Sequence, residues 1–120
     1  MATVRYFVPD VDKALPFYVD HLEFKLVQRF PPIAILSRGD LNLWLSGPES
    51  SAARPMPDGR KPGPGGWNRL VLEVDDLQAT VARLRAAGVV FRNDVVVGPG
   101  GKQILAEDGS GNVVEIFQPA

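Results

Sequence analysis

An internal repeat constrains this chain more than any other feature. Val8-Pro9-Asp10-Val11 returns as Val74-Asp75-Asp76-Leu77, and Asp10 to Asp76 is an offset of 66 residues. Each copy is preceded by an alternating stretch, Thr3 to Val8 and Arg69 to Val74, whose period of two suits a half-buried strand. Each copy opens a helical pattern. Val11, Leu15, Tyr18 and Leu22 form one stripe of the first helix, with Asp10 or Asp12 as its cap. Leu77, Val81 and Leu84 form the stripe of the second, with Asp76 as cap and Gly88 as its left-handed end. Pro16 lacks an amide donor and predicts either a late start at Asp12 or a mild kink.

Three strand-like runs follow each helix. In the first half these are Phe24 to Phe30, Ile33 to Ser37 and Leu41 to Leu45. In the second they are Val89 to Val97, Lys102 to Glu107 and Val113 to Phe117. The order is β-α-β-β-β, written twice, with module one at about 1–46 and module two at about 67–120. Residues 47–66 between them are rich in Pro, Gly and Ser, predict no regular element, and read as a lid or a disordered linker.

Composition removes several kinds of chemistry. The 120 residues contain no cysteine, so disulfides, thiolate nucleophiles and cysteine metal sites are excluded. His21 is the single histidine and reads as a half-exposed surface residue late in the first helix. Thirteen Lys and Arg balance fourteen Asp and Glu without a basic face, which disfavours nucleic acid as a partner. No apolar run approaches the roughly 20 residues that span a bilayer, so no membrane partner is expected and a cytoplasmic location fits.

The doubled unit resembles the vicinal-oxygen-chelate superfamily, also called the glyoxalase/bleomycin resistance/dioxygenase fold. The landmarks are Val8-x-Asp10-Val11 followed by Phe17-Tyr18, then Val74-x-Asp76-Leu77, and finally Asp108-Gly109-Ser110-Gly111-Asn112-Val113-Val114-Glu115. The resemblance implies an α+β fold in which two βαβββ modules form one open, barrel-like mixed sheet with helices packed outside, a ligand-binding cup, and commonly a homodimer. Glu23 departs from it, because the matching position in the second half is Gly88, and the first helix end is therefore expected to differ.

Metalloenzymes of that superfamily take a histidine seven residues before the repeated aspartate and a glutamate on the last strand of each module. Here the first positions hold Thr3 and Arg69, and aligning Gly39-Asp40 with Gly111-Asn112 places Leu43 opposite Glu115. A slip of one residue would exchange the strand's faces, yet Asn42 and Trp44 are not carboxylates either. One glutamate and one threonine fall short of the three or four ligands a transition metal needs, so neither metal nor cofactor is expected.

Residues in phase with these positions are expected to line the cup: Thr3, Arg5 and Phe7, then Leu43, Arg69, Val71, Glu115 and Phe117, with Trp67 at the mouth. Arg69 and Glu115 are expected to pair, and a functional Arg69 would grip a carboxylate or carbonyl oxygen. Trp44 is expected beneath a helix. The favoured reading is a metal-free small-molecule-binding protein of the antibiotic-resistance kind, sequestering a partly aromatic or carbonyl- or carboxylate-bearing ligand. The alternative is a divergent lyase, isomerase or dioxygenase-like enzyme using Glu115 as base or metal ligand, and the third is a subunit without ligand. A half of about 60 residues offers little core of its own, so residues 1–120 are expected to fold as a single domain. Calorimetry is expected to record one unfolding transition, and two well-separated transitions would count against a shared core.

Overall fold

The computed structural model describes residues 2–120. Module one contains β1 (Thr3–Phe7), α1 (Val11–Pro16), β2 (Lys25–Arg29), β3 (Ile33–Arg38) and β4 (Leu41–Ser46). Module two contains β5 (Leu70–Glu73), α2 (Leu77–Ala86), β6 (Val96–Gly98), β7 (Gly101–Glu107) and β8 (Val113–Pro119). The α+β class and the doubled βαβββ order are those expected. Hydrogen bonds gather the strands into two four-stranded sheets, ordered β1-β4-β3-β2 and β5-β8-β7-β6. In each, the first strand lies parallel to the last and the remaining pairs are antiparallel.

The repeat is an equivalence in three dimensions. The Asp10 side chain accepts from the amide of Lys13 and that of Asp76 from the amide of Ala79, so both aspartates cap their helices as expected. Val8 N donates to Ser46 O, and Val74 N donates to Phe117 O. Both helices cover one face of their own sheet. Val11, Ala14, Phe17 and Tyr18 meet a face built from Tyr6, Ala34, Leu36, Leu43 and Leu45, all buried. Leu77, Val81 and Leu84 meet Leu70, Leu72, Ile104, Ala106, Val114 and Ile116, also buried. Tyr18 is fully buried, edge-on to Phe17 and Phe24 with ring centroids 5.0 and 5.7 Å away.

Three details differ from the sequence pattern. Helix α1 does not start late. It begins at Val11, runs to Pro16 and widens into a π-helical turn over Phe17–His21. The wider turn carries Phe17 and Tyr18 inward and leaves Leu15 only half-buried. The stretch Val89 to Val97 is not one strand. Phe91 makes an isolated bridge to Ala106, the Asn93 side chain accepts from Leu105 N where a neighbouring strand would, and pairing resumes at Val96. Residues 47–66 contain one 3-10 turn, Ser51–Ala53, preceded by the buried Ser50, whose hydroxyl donates to Gly47 O at 2.7 Å.

The helix ends differ, as expected, although both use a left-handed residue. Gly88 stands at φ 87, with Gly88 N bonded to Arg85 O and Val89 N to Leu84 O, which is a Schellman end. Glu23 adopts the same left-handed region at φ 63 despite its side chain, and Phe24 N reaches back to Tyr18 O at 2.9 Å. The two ends therefore share a left-handed residue but differ in the bond that closes them, which spans six residues at Phe24 and five at Val89, and in strain. Glu23→Gly is expected to stabilise the protein by about 1 kcal/mol in chemical denaturation, and Gly88→Glu to destabilise it by a similar amount.

Candidate ligand-binding face

Strand pairing fixes which side chains share a surface. In module two, β5 against β8 sets Val71 beside Glu115 and Glu73 beside Phe117, while β7 against β8 sets Leu105 beside Glu115 and Gln103 beside Phe117. Arg69, Val71, Glu115 and Phe117 therefore belong to the face opposite α2, as alternation predicts. Arg69 reaches Glu115 with Nε at 3.0 Å and Nη2 at 2.9 Å, both on Oε1, leaving Oε2 outside the pair. The Arg69 side chain is 27% exposed and that of Glu115 only 9%. An ion pair this sheltered loses several kcal/mol of hydration and persists because both groups are satisfied together.

Two further groups on module two escaped the sequence reading. Arg92 lies 5.1 Å from the centre of the Trp67 ring, and its Nε donates to Glu107 at 3.1 Å. Leu105 packs beside Glu115 with 7% exposure. Alternation along Lys102 to Glu107 would have identified Leu105 and Glu107, but nothing local signals that Arg92 lies against Trp67. Trp67 itself is 69% exposed, with one ring face toward Arg92.

In module one the register reverses an expectation. β1 against β4 pairs Arg5 with Trp44 and Val4 with Leu43, so Trp44 shares the face of Thr3, Arg5 and Phe7. Leu43 belongs to the opposite face and is fully buried there with Tyr6 and Leu45. The Arg5 guanidinium lies 5.0 Å from the centre of the Trp44 ring, and its Nη1 donates to Ser46 Oγ at 3.1 Å. The position equivalent to Glu115 is thus Trp44, because the strand partners of Arg5 and Val71, themselves 66 residues apart, are Trp44 and Glu115. The turn lengths explain the slip. Arg38 pairs with Leu41 across a two-residue turn, whereas Glu107 pairs with Val113 across five residues.

That longer turn is itself structural. Asp108 Oδ1 accepts from the amides of Ser110 and Asn112 at 2.8 and 3.0 Å, and Oδ2 accepts from Asn112 Nδ2 at 3.0 Å.

The family model described as Glyoxalase/Bleomycin resistance protein/Dioxygenase superfamily matches residues 1–116. The chain belongs to this superfamily. A lactoylglutathione lyase from Agrobacterium tumefaciens superposes with a TM-score of 0.77 at 21% identity, over 98% of this chain and 92% of that one. TnmS3, an antibiotic binding protein from Streptomyces sp. CB03234, superposes with a TM-score of 0.71 at 28% identity, over 100% and 97% of the two chains. The fosfomycin resistance protein FosX from Mesorhizobium loti gives a TM-score of 0.72 at 14% identity, over 100% and 92%. No curated protein matches the chain in sequence.

This member of the superfamily does not have the donor set for the metal that its metalloenzymes use. The four comparable positions are Thr3, Trp44, Arg69 and Glu115, and the one carboxylate among them is held by a guanidinium. Among the described residues no group of three or more His, Cys, Asp or Glu could hold a metal ion. A divalent transition metal needs several such donors around one point.

Arg69→Ala is expected to leave a sheltered carboxylate unpaired and to lower stability by about 2 kcal/mol in chemical denaturation. The double change Arg69→Leu with Glu115→Gln removes both charges and is expected to recover much of that loss.

Proposed function

We propose that this protein binds a small molecule without metal, sequestering a partly aromatic ligand that carries a carbonyl or carboxylate oxygen. The carrying observation is the Arg69–Glu115 pair. A positively charged fork, held by its own carboxylate, stands on a face that also offers Val71, Leu105 and Phe117. Such a surface combines an apolar bed with one oriented donor group, the usual composition of a small-molecule site. Arg69 would share its fork between Glu115 and a ligand oxygen, while the apolar side chains contact the ligand body. In module one, Arg5, Phe7 and Trp44 supply a second apolar and cationic surface, and Thr3 contributes a hydroxyl at its edge.

Support also comes from TnmS3, 28% identical along the full length of this chain and described as an antibiotic binding protein. The enzymatic reading has less support because Glu115, its candidate base, is already held through one oxygen by two of the three Arg69 nitrogens. The same proposal takes the protein as a cytoplasmic homodimer.

Elemental analysis of the purified protein is expected to find no stoichiometric Zn, Ni, Mn or Fe. Near one equivalent of metal per chain, lost on changing Glu115→Gln, would defeat the metal-free reading. Calorimetric titration with a panel of aromatic carboxylates and aromatic carbonyl compounds then tests binding. A hit is expected to weaken about tenfold in the folded Arg69→Leu/Glu115→Gln double variant, as loss of a charge-assisted contact requires. Equal affinity would make the pair framework.

A further inference from the structure

Module one contains a cavity that the proposed role of Arg69 does not use. It measures about 440 Å³ and lies where the proline-rich segment folds over the ends of β1 and β4. Phe7, Ser46, Ala53, Pro55, Lys61 and Pro62 are among its walls. The segment is held in place by its own bonds. Gly47 N donates to Pro32 O at 2.8 Å, and Met56 N donates to Arg60 O at 2.7 Å. Proline rings have few internal rotations to lose, so a wall made of them orders a guest at little entropic cost.

Among the residues that line this cavity, one is charged. Lys61 brings an ammonium, which makes no ion pair with the described residues. Ser46 is fully buried and its Oγ accepts from Arg5 Nη1 at 3.1 Å. No carboxylate lines the space. A cation among apolar walls selects a guest that brings negative charge on a compact ring body.

We propose that the cavity beneath the proline-rich segment, bounded by Phe7, Ser46, Ala53 and Lys61, is a binding site for a small aromatic anion. The segment 47–64 is then a fixed wall of a pocket and not a passive connection between modules. The site is built from module one and the segment that follows it, and stands whether or not Arg69 binds anything.

Naphthalene-1-sulfonate is the probe, with uncharged naphthalene as its control, titrated calorimetrically into the intact protein. Saturable binding of the sulfonate is expected, weakening with added salt. Lys61→Gln, a change at an exposed side chain, is expected to weaken the sulfonate about fivefold and leave naphthalene unaffected. Ala53→Phe fills the space and is expected to abolish binding of both. Absence of saturable binding, or unchanged sulfonate affinity in Lys61→Gln, overturns the proposal. So does a probe that survives Ala53→Phe but is lost in the Arg69→Leu/Glu115→Gln double variant, because it would then occupy the other face.

Discussion

The parallel ladder between the first and last strand of each module governs what the rest of the structure can present. Parallel neighbours need a crossover long enough to carry a helix, so β1 and β5 must each be followed by one before their partners return. The helix buries one face of its sheet and leaves the other for chemistry. The ladder's register then decides which residues reach that other face. Val71 beside Glu115 and Arg5 beside Trp44 are consequences of this pairing, as is the Arg69–Glu115 ion pair at the ladder's start.

The fold was legible because the signals that specify it are local and occur twice. Asp10 and Asp76 cap helices through bonds three residues long, and alternation on either side of them marks strands. The candidate face is fully legible in module two, whereas in module one Thr3, Arg5 and Phe7 are legible and the residue on β4 is not. In module two Arg69, Val71, Glu115 and Phe117 fall in phase on adjacent strands, and sequence alternation is enough to bring them together. Module one misled because the closing strand was aligned through its turn. A strand's register answers to the ladder beside it, and the shorter Gly39-Asp40 turn moves β4 by one residue relative to that reference. One residue suffices to exchange Leu43 for Trp44.

Other features had no short-range signature. Glu23 shows that a helix can end in the left-handed region without glycine, when Phe24 is buried and draws the chain back over Tyr18. Arg92 against Trp67 joins residues 25 apart, each in a stretch that is neither helix nor regular strand. The ordering of residues 47–64 depends on bonds such as Gly47 to Pro32, which composition does not reveal. Proline-rich sequence predicts the absence of helix and sheet, but it does not predict the absence of structure.

Under the proposed function, the Arg69–Glu115 pair also separates this chain's chemistry from that of the superfamily's metalloenzymes. A metal ion holds a carboxylate in place and at the same time offers an open coordination position that polarises a bound oxygen. A guanidinium does the first and not the second. Its charge is spread over three nitrogens, it cannot activate water, and its remaining donors can only hydrogen-bond an acceptor. As proposed here, an arginine in place of a cation site keeps an electrostatic anchor for oxygen-bearing ligands and offers no Lewis acid. On the proposed reading, the same exchange also makes the apolar neighbours decisive. Val71, Leu105 and Phe117 then discriminate among ligands by the shape of the body attached to the oxygen, because the fork accepts many oxyanions alike.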